Sequence, residues 1–92
     1  MNSTEAEVFR VLEEKHVLKT IRFLHNNGPA SKKEIYTGVS GNPRMPEKLL
    51  AMKSIGLLKD VKLEENSRAQ VLALTEKGER VAVELEKILS II

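Results

Sequence analysis

Apolar residues recur at helical spacing through the first 26 positions, and no Gly or Pro interrupts them before Gly28. Thr4 and Glu7 have the spacing of a capping box, in which a hydroxyl and a carboxylate three residues apart satisfy free backbone N–H groups. The Gly28-Pro29 pair then ends the pattern. The sequence therefore predicts an N-terminal helix over 4–26.

The apolar positions of this predicted helix do not share one face. Val8 and Leu12 lie on one side, whereas Ile21 and Leu24 lie almost opposite, and the polar residues 13–16 separate the two groups. A single small core cannot cover both sides of a straight helix. Either the helix bends near residue 15, or its first half packs against something else, for which a partner subunit is the simplest candidate.

A second capping box, formed by Ser31 and Glu34, predicts a short helix that ends in a turn over 40–43. A third helix follows, because apolar residues again recur at helical spacing. Pro46 has to lie in its first turn, since proline lacks the backbone N–H that later turns need. Gly56 is placed to cap its C-terminus. The apolar residues of this helix are Met45, Leu49, Met52 and Ile55.

Two short runs rich in branched residues, 57–63 and 70–74, flank a polar stretch and predict a β-hairpin. Thr75 then caps a last helix with one broad apolar stripe. The predicted order is three helices, a hairpin and a helix, so the fold class is mainly α with a small β-hairpin. The stripe consists of Val81, Leu85, Ile88 and Ile92, widened by Ala82 and Leu89.

The chain has 92 residues, which predicts one domain over 1–92 with a thin core. Its N-terminus shows no signal-peptide pattern and no apolar run is long enough to cross a membrane, so we expect a soluble cytoplasmic protein. A thin core leaves the apolar stripes at both ends of the chain in need of burial, which favours a homodimer. The expected interface consists of Val8, Leu12, Val81, Leu85, Ile88, Leu89 and Ile92.

Positive charge concentrates in the middle third of the chain. Residues 32–62 carry seven basic and three acidic side chains, whereas 1–31 are neutral and 63–92 have a net charge of −2. A basic segment of this kind suits a nucleic-acid surface.

Candidate catalytic and metal-binding sets are missing from the sequence. The chain has no cysteine, and its two histidines, His16 and His25, lie half a turn out of phase on the predicted helix. No nucleophile–histidine–acid set and no glycine-rich phosphate loop is visible. We therefore expect neither an enzyme nor a bound metal or cofactor. With one Tyr, two Phe and no Trp, a stacking platform for single strands is also poorly supported.

Two motifs resemble winged helix-turn-helix regulators of the MarR, PadR and ArsR type, many of them archaeal. One resembles the end of a recognition helix and its passage into a wing: Leu49-x-x-Met52-x-x-Ile55-Gly56-Leu57-Leu58. The other resembles a second wing strand that turns into the C-terminal helix: Leu74-Thr75-Glu76-Lys77-Gly78. The resemblance implies a helix-turn-helix over 31–56, a wing over 57–74 and a C-terminal helix over 75–92.

The resemblance also implies which residues meet duplex DNA. Members of these families place the third helix in the major groove, and here the residues expected to point outward from it include Arg44 and Lys48. Arg44 is the candidate for reading guanine, because its planar fork matches O6 and N7. Lys48 is a candidate for a base or a phosphate, and Lys32, Lys33 and Lys53 are candidates for phosphates.

The wing tip departs from the usual basic pattern. Glu64 and Glu65 face a single basic residue, Arg68, which we include among the DNA-binding candidates although acidic neighbours oppose insertion into the minor groove. The sequence thus predicts a homodimeric transcription regulator that binds duplex DNA sequence-specifically. The alternative is a winged helix that binds another protein and no DNA.

Overall fold

Five helices and three short strands follow one another in residues 2–62 and 70–92, which the computed structural model describes. The elements are α1 (Ser3–Leu12), α2 (Val17–Asn27), β1 (Ala30–Ser31), α3 (Lys32–Gly38), α4 (Met45–Ser54), β2 (Leu58–Val61), β3 (Val71–Leu74) and α5 (Glu76–Ile91). This is the winged-helix order, and the predicted fold class is confirmed. Among the described residues, no helix combines the length and the apolar composition needed to cross a bilayer.

The continuous helix predicted over 4–26 is wrong, because the chain breaks between α1 and α2, and the alternative of a bend near residue 15 is confirmed. His16 adopts a left-handed conformation (φ 76°) immediately before α2 begins. The N-terminal cap is also displaced from the predicted box: the Asn2 side chain accepts a hydrogen bond of 2.8 Å from the Glu5 backbone N–H. The break lets Val11 of α1 and Ile21 of α2 both enter the core, which a straight helix with two opposed apolar faces could not do.

The core surrounds α2. Fully buried side chains come from α2, α3, α4 and the sheet. Removing each large apolar side chain of this kind from water stabilises the fold by about 1.5–3 kcal/mol. These side chains hold α3 and α4 against the rest of the domain, which fixes the orientation of their outward faces. They include Ile21, Leu24, Ile35, Leu49, Met52 and Leu72.

The sheet has the antiparallel order β1-β3-β2. Leu58 of β2 lies opposite Leu74 of β3, as a wing hairpin requires, while Ala30 of β1 pairs with Leu72 on the other side. The two-residue strand β1 was not predicted, because it is too short to show a pattern of its own. The predicted wing tip over 64–68 lies outside the described residues.

Local caps position α4 as predicted. Pro46 lies in its first turn, and the chain leaves its C-terminus through Gly56, which has a φ of 83°. The Gly56 N–H donates to the Lys53 carbonyl at 3.0 Å and the Leu57 N–H donates to the Met52 carbonyl at 3.0 Å. This pair of bonds is a Schellman cap, which supplies partners to carbonyls at the helix end.

Thr75 joins the end of α4 to the start of α5. Its hydroxyl oxygen accepts a hydrogen bond of 3.0 Å from the Gly78 N–H, which confirms the predicted cap. The same hydroxyl donates to the Gly56 carbonyl. One side chain thereby links the C-terminal end of α4 to the first turn of α5.

Replacing Gly78 with Ala should lower the free energy of unfolding by about 1–3 kcal/mol, the usual cost of forcing extra atoms into a packed site. A Cβ at this position would collide with the Leu57 backbone carbonyl, and this outweighs alanine's better helix propensity. Denaturant unfolding measures the effect. Gly41→Ala is the matched control, because its Cβ would meet only the Tyr36 carbonyl, at 3.9 Å. Equal stability of both variants would contradict the packing described here.

Candidate nucleic-acid interface

Lys32 and Lys33 occupy the first turn of α3, where the predicted capping box is confirmed. Ser31 accepts from the Glu34 N–H at 3.1 Å, and Glu34 accepts from the Ser31 N–H at 3.1 Å. The hydrogen bond from the Ser31 backbone N–H, with a smaller contribution from the Ser31 side chain, holds the pKa of the Glu34 carboxyl below its usual value. Both lysines are exposed, and within the described residues neither has an acidic partner at ion-pair distance. Two cations thus extend from a helix N-terminus, whose dipole adds to their positive field.

Arg44 caps the N-terminus of α4 and points to solvent. Its backbone N–H donates to the Asn42 side chain at 2.8 Å. The guanidinium lies 3.6 Å from Glu47, one turn later, and the side chains of both are more than 70% exposed. Such an exposed pair is worth little energy, so the guanidinium can leave Glu47 for another acceptor. The predicted outward orientation of Arg44 is confirmed.

Lys48 does not point outward, and this part of the sequence prediction is wrong. The residue is buried to 8% exposure, and its ammonium donates a hydrogen bond of 2.9 Å to the Lys15 carbonyl. That carbonyl belongs to the break between α1 and α2, where regular helical bonding stops. The lysine therefore ties α4 to this joint. No sequence pattern could indicate the bond, because it depends on how the two helices meet at the joint.

Lys53 reaches solvent only in part and carries a partner. Its ammonium lies 2.9 Å from the Asp60 carboxylate of β2, so the pair fastens the last turn of α4 to the wing. A lysine whose charge is compensated by a carboxylate attracts a phosphate less than Lys32 and Lys33, for which the described residues contain no acidic partner. Of the remaining candidates, Arg68 lies outside the described residues.

Leu50 shares the outward face of α4 with Glu47 and Ser54 and is 62% exposed. Leu50 was not predicted as a site residue, although its outward position follows from the helical spacing of the buried Met45 and Leu49. The outward face of α4 therefore combines a cation at its start, a carboxylate and an aliphatic side chain. In the described residues, no group of three His, Asp or Glu side chains is placed to hold a metal ion.

His16, at the joint between α1 and α2, has a ring Nδ1 that is buried and lacks a hydrogen-bond partner in the described structure. Burial lowers the pKa of the His16 imidazole from its ordinary value of 6.5, and the positive charges of Lys48, Lys15 and Lys19 lower it further. A histidine that is harder to protonate in the folded chain than in the unfolded chain opposes folding when it must be charged.

The contribution of His16 to stability should therefore be complete above pH 6.5 and should decline as the pH falls from there through the lower pKa of the folded state. His16→Asn should remove this part of the pH dependence, since asparagine tolerates the left-handed conformation and does not titrate. Thermal midpoints of the wild type and the variant between about pH 7 and about pH 5 measure the difference. His25→Asn is the control that keeps His16. Parallel pH profiles for the wild type and His16→Asn would contradict this assignment.

A second surface, here called the terminal apolar surface, runs across α1, the start of α2 and one face of α5. It contains a groove of about 540 Å³ between the helices and a smaller one of about 170 Å³ on α1, and Leu12 lines both. Ile88 and Leu89, which the sequence placed in a dimer interface, are 53% and 41% exposed. Phe9 and Leu18 extend this surface and were not predicted. The apolar residues that line its two grooves are Val8, Phe9, Leu12, Leu18, Val81, Leu85 and Ile88.

The remaining interface candidate, Ile92, lies at the end of the chain and is 97% exposed. The partly buried candidates are Val8, Leu12, Val81 and Leu85. The structure thus brings residues from both ends of the chain into one neighbourhood, and much of their apolar area remains in contact with solvent.

Comparison with known proteins establishes the fold. No protein-family model matches the chain, and no curated protein sequence matches it. A structure of NadR in complex with 4-hydroxyphenylacetate is similar with a TM-score of 0.71 and 20% identity, over 91% of this chain and 60% of that one. Reduced AbfR bound to DNA gives a TM-score of 0.62 and 17% identity, over 95% and 65%. Disulfide-formed AbfR gives 0.63 and 17%, over 94% and 60%. The chain therefore spans under two thirds of the length of these proteins.

Proposed function

We propose that this chain is a transcription regulator that binds duplex DNA sequence-specifically as a homodimer. The observation that carries the proposal is the set of exposed cations at the starts of α3 and α4. Lys32 and Lys33 extend from the start of α3, and Arg44 extends from the start of α4. The likeness of the fold to AbfR, which has been solved bound to DNA, supports this assignment.

The two helices have different roles in this proposal. Lys32 and Lys33 bind backbone phosphates, which supplies affinity without reading sequence. Arg44 enters the major groove and donates two hydrogen bonds to a guanine. Glu47 opposes phosphates but can accept a hydrogen bond from a cytosine amino group. Lys48 acts indirectly, because its bond to the Lys15 carbonyl keeps α4 at a fixed angle.

The homodimer forms through the terminal apolar surface in this proposal. Large apolar side chains gain free energy when a second copy removes them from water, and a two-fold axis lets the same surface of each copy meet the other. The two α4 helices would then read half-sites about 34 Å apart, one turn of the duplex. This pairing doubles the phosphate contacts and explains why both ends of a short chain carry apolar stripes.

Binding of the purified chain to a labelled random duplex tests the proposal against the protein-interaction alternative. Non-specific duplex binding by regulators has a Kd of about 10⁻⁴–10⁻⁶ M at physiological salt, so fluorescence anisotropy should register a complex in that range. The same strand without its complement should bind less tightly, because the chain lacks tryptophan and has few aromatic side chains for base stacking. Absence of duplex binding by a folded dimer would favour the protein-interaction module.

A further inference from the structure

Leu50 is an aliphatic side chain that the core of the described residues leaves mostly exposed. It is 62% exposed, whereas Met45, Leu49 and Met52 on the same helix are buried. It lines neither groove of the terminal apolar surface, so the proposed dimer contact does not explain it. Its neighbours on the outward face of α4 are Glu47 and Ser54.

Because Lys48 turns inward, fewer side chains of α4 remain to contact bases, and Leu50 is one of them. With Lys48 bound to the Lys15 carbonyl, the side chains that α4 exposes near its start are Arg44, Pro46, Glu47 and Leu50, and Leu50 is the longer of the two apolar ones. The major groove of DNA presents mainly hydrogen-bonding groups, and the C5 methyl of thymine is its apolar feature. An aliphatic side chain on a helix in that groove gains free energy by covering this methyl, because both apolar surfaces leave water.

We propose that Leu50 is a specificity-determining residue that contacts the C5 methyl of a thymine, an inference that rests on the proposed DNA binding. Leu50 follows Arg44 by six residues, which places it about 9 Å further along the helix axis. At about 3.4 Å per base pair, the thymine lies within about three base pairs of the guanine that Arg44 reads. The preferred site therefore contains a guanine and a thymine at this short separation in each half-site.

Single-methyl replacement tests the contact. A preferred duplex is first selected from a random pool, and each thymine is then replaced individually with deoxyuridine, which lacks only the C5 methyl. For the wild type, one position per half-site should bind about four-fold more weakly, the factor expected from one buried methyl group. In Leu50→Ala this penalty should disappear, while Ser54→Ala, on the same face of α4, should keep it.

Two further measurements distinguish this contact from a folding defect and from a general preference for C5 methyl groups. Leu50→Gln preserves side-chain length and helix propensity and serves as a second variant in case Leu50→Ala folds poorly. It should lose the deoxyuridine penalty as well. Methylated cytosine carries the same C5 methyl, and a selected duplex with 5-methylcytosine at that position should bind less tightly than the thymine duplex, because its amino group replaces the thymine carbonyl. Tighter binding of 5-methylcytosine would overturn the assignment to thymine.

The outcomes are distinct from those for the proposed function. Absence of any deoxyuridine penalty in the wild type, or persistence of the penalty in both Leu50 variants, overturns the Leu50 contact while random-duplex binding remains intact. Failure to bind any duplex overturns the proposed function and the contact together.

Discussion

Ile88→Glu should convert a dimer into a folded monomer. Ile88 is 53% exposed in the single chain, so a carboxylate there stays hydrated and the domain keeps its core. In a dimer, the same carboxylate would be buried without a partner, which costs several kcal/mol. Sedimentation should therefore give about 10.3 kDa for the variant and twice that for the wild type at micromolar concentration. Duplex affinity should fall by about 100-fold or more, because a monomer binds one half-site and loses the gain in affinity that comes from joining two DNA-binding domains.

Val83→Glu is the matched control for this experiment. Val83 is also an exposed apolar residue of α5, at 44%, but it does not line the groove between the helices. The same added charge should leave this variant dimeric. A wild type that sediments as a monomer throughout the micromolar range would contradict the dimer, and an unchanged mass for Ile88→Glu would place the interface elsewhere.

Arg44→Gln should reduce discrimination between a preferred duplex and a random one by about 1–3 kcal/mol, the range for losing a bidentate contact to guanine. Its affinity for random duplex should change much less, because glutamine removes a single charge from each subunit. The Arg44 side chain is 72% exposed, and its ion-pair partner among the described residues is the equally exposed Glu47, so the thermal midpoint should stay constant.

The measurement is competition between the two duplexes for the wild type and the variant. Glu47→Gln provides the complementary control: it removes the carboxylate beside Arg44 and should strengthen binding to the random duplex, since that carboxylate repels phosphates. Equal losses on preferred and random duplex for Arg44→Gln would mean that Arg44 binds a phosphate and does not read a base.

The elements that depend on local chemistry were predictable from the sequence. Ser31 and Thr75 cap the helices they were expected to cap, and Gly56 ends α4 with the left-handed geometry that glycine favours. Each of these residues acts on backbone groups within a few positions, so the local sequence is sufficient to predict its role. The outward position of Arg44 followed in the same way from the buried face of α4.

The features that were missed depend on contacts between distant parts of the chain. A bend near residue 15 was one of two predicted alternatives, but the left-handed conformation of His16 that makes it was not predicted, and it lets α1 and α2 both turn apolar faces to one core. Lys48 turns inward because that break leaves the Lys15 carbonyl within its reach. Asp60 pairs with Lys53 across the wing and the helix. Helical periodicity describes one element at a time, so it cannot predict hydrogen bonds or ion pairs between residues that are distant in sequence.

The salt dependence of binding to a random duplex tests the central claim, that the face of α3 and α4 binds phosphates. The logarithm of the binding constant should fall by several units per tenfold rise in salt, since each neutralised phosphate releases bound counterions. Replacing both Lys32 and Lys33 with Gln should reduce that slope by about four, one for each lysine in the dimer. Lys87→Gln, on α5 beside Glu84, should leave the slope unchanged. A wild-type slope near zero, or the same slope in the Lys32/Lys33 variant, would contradict the assignment of DNA binding to this face.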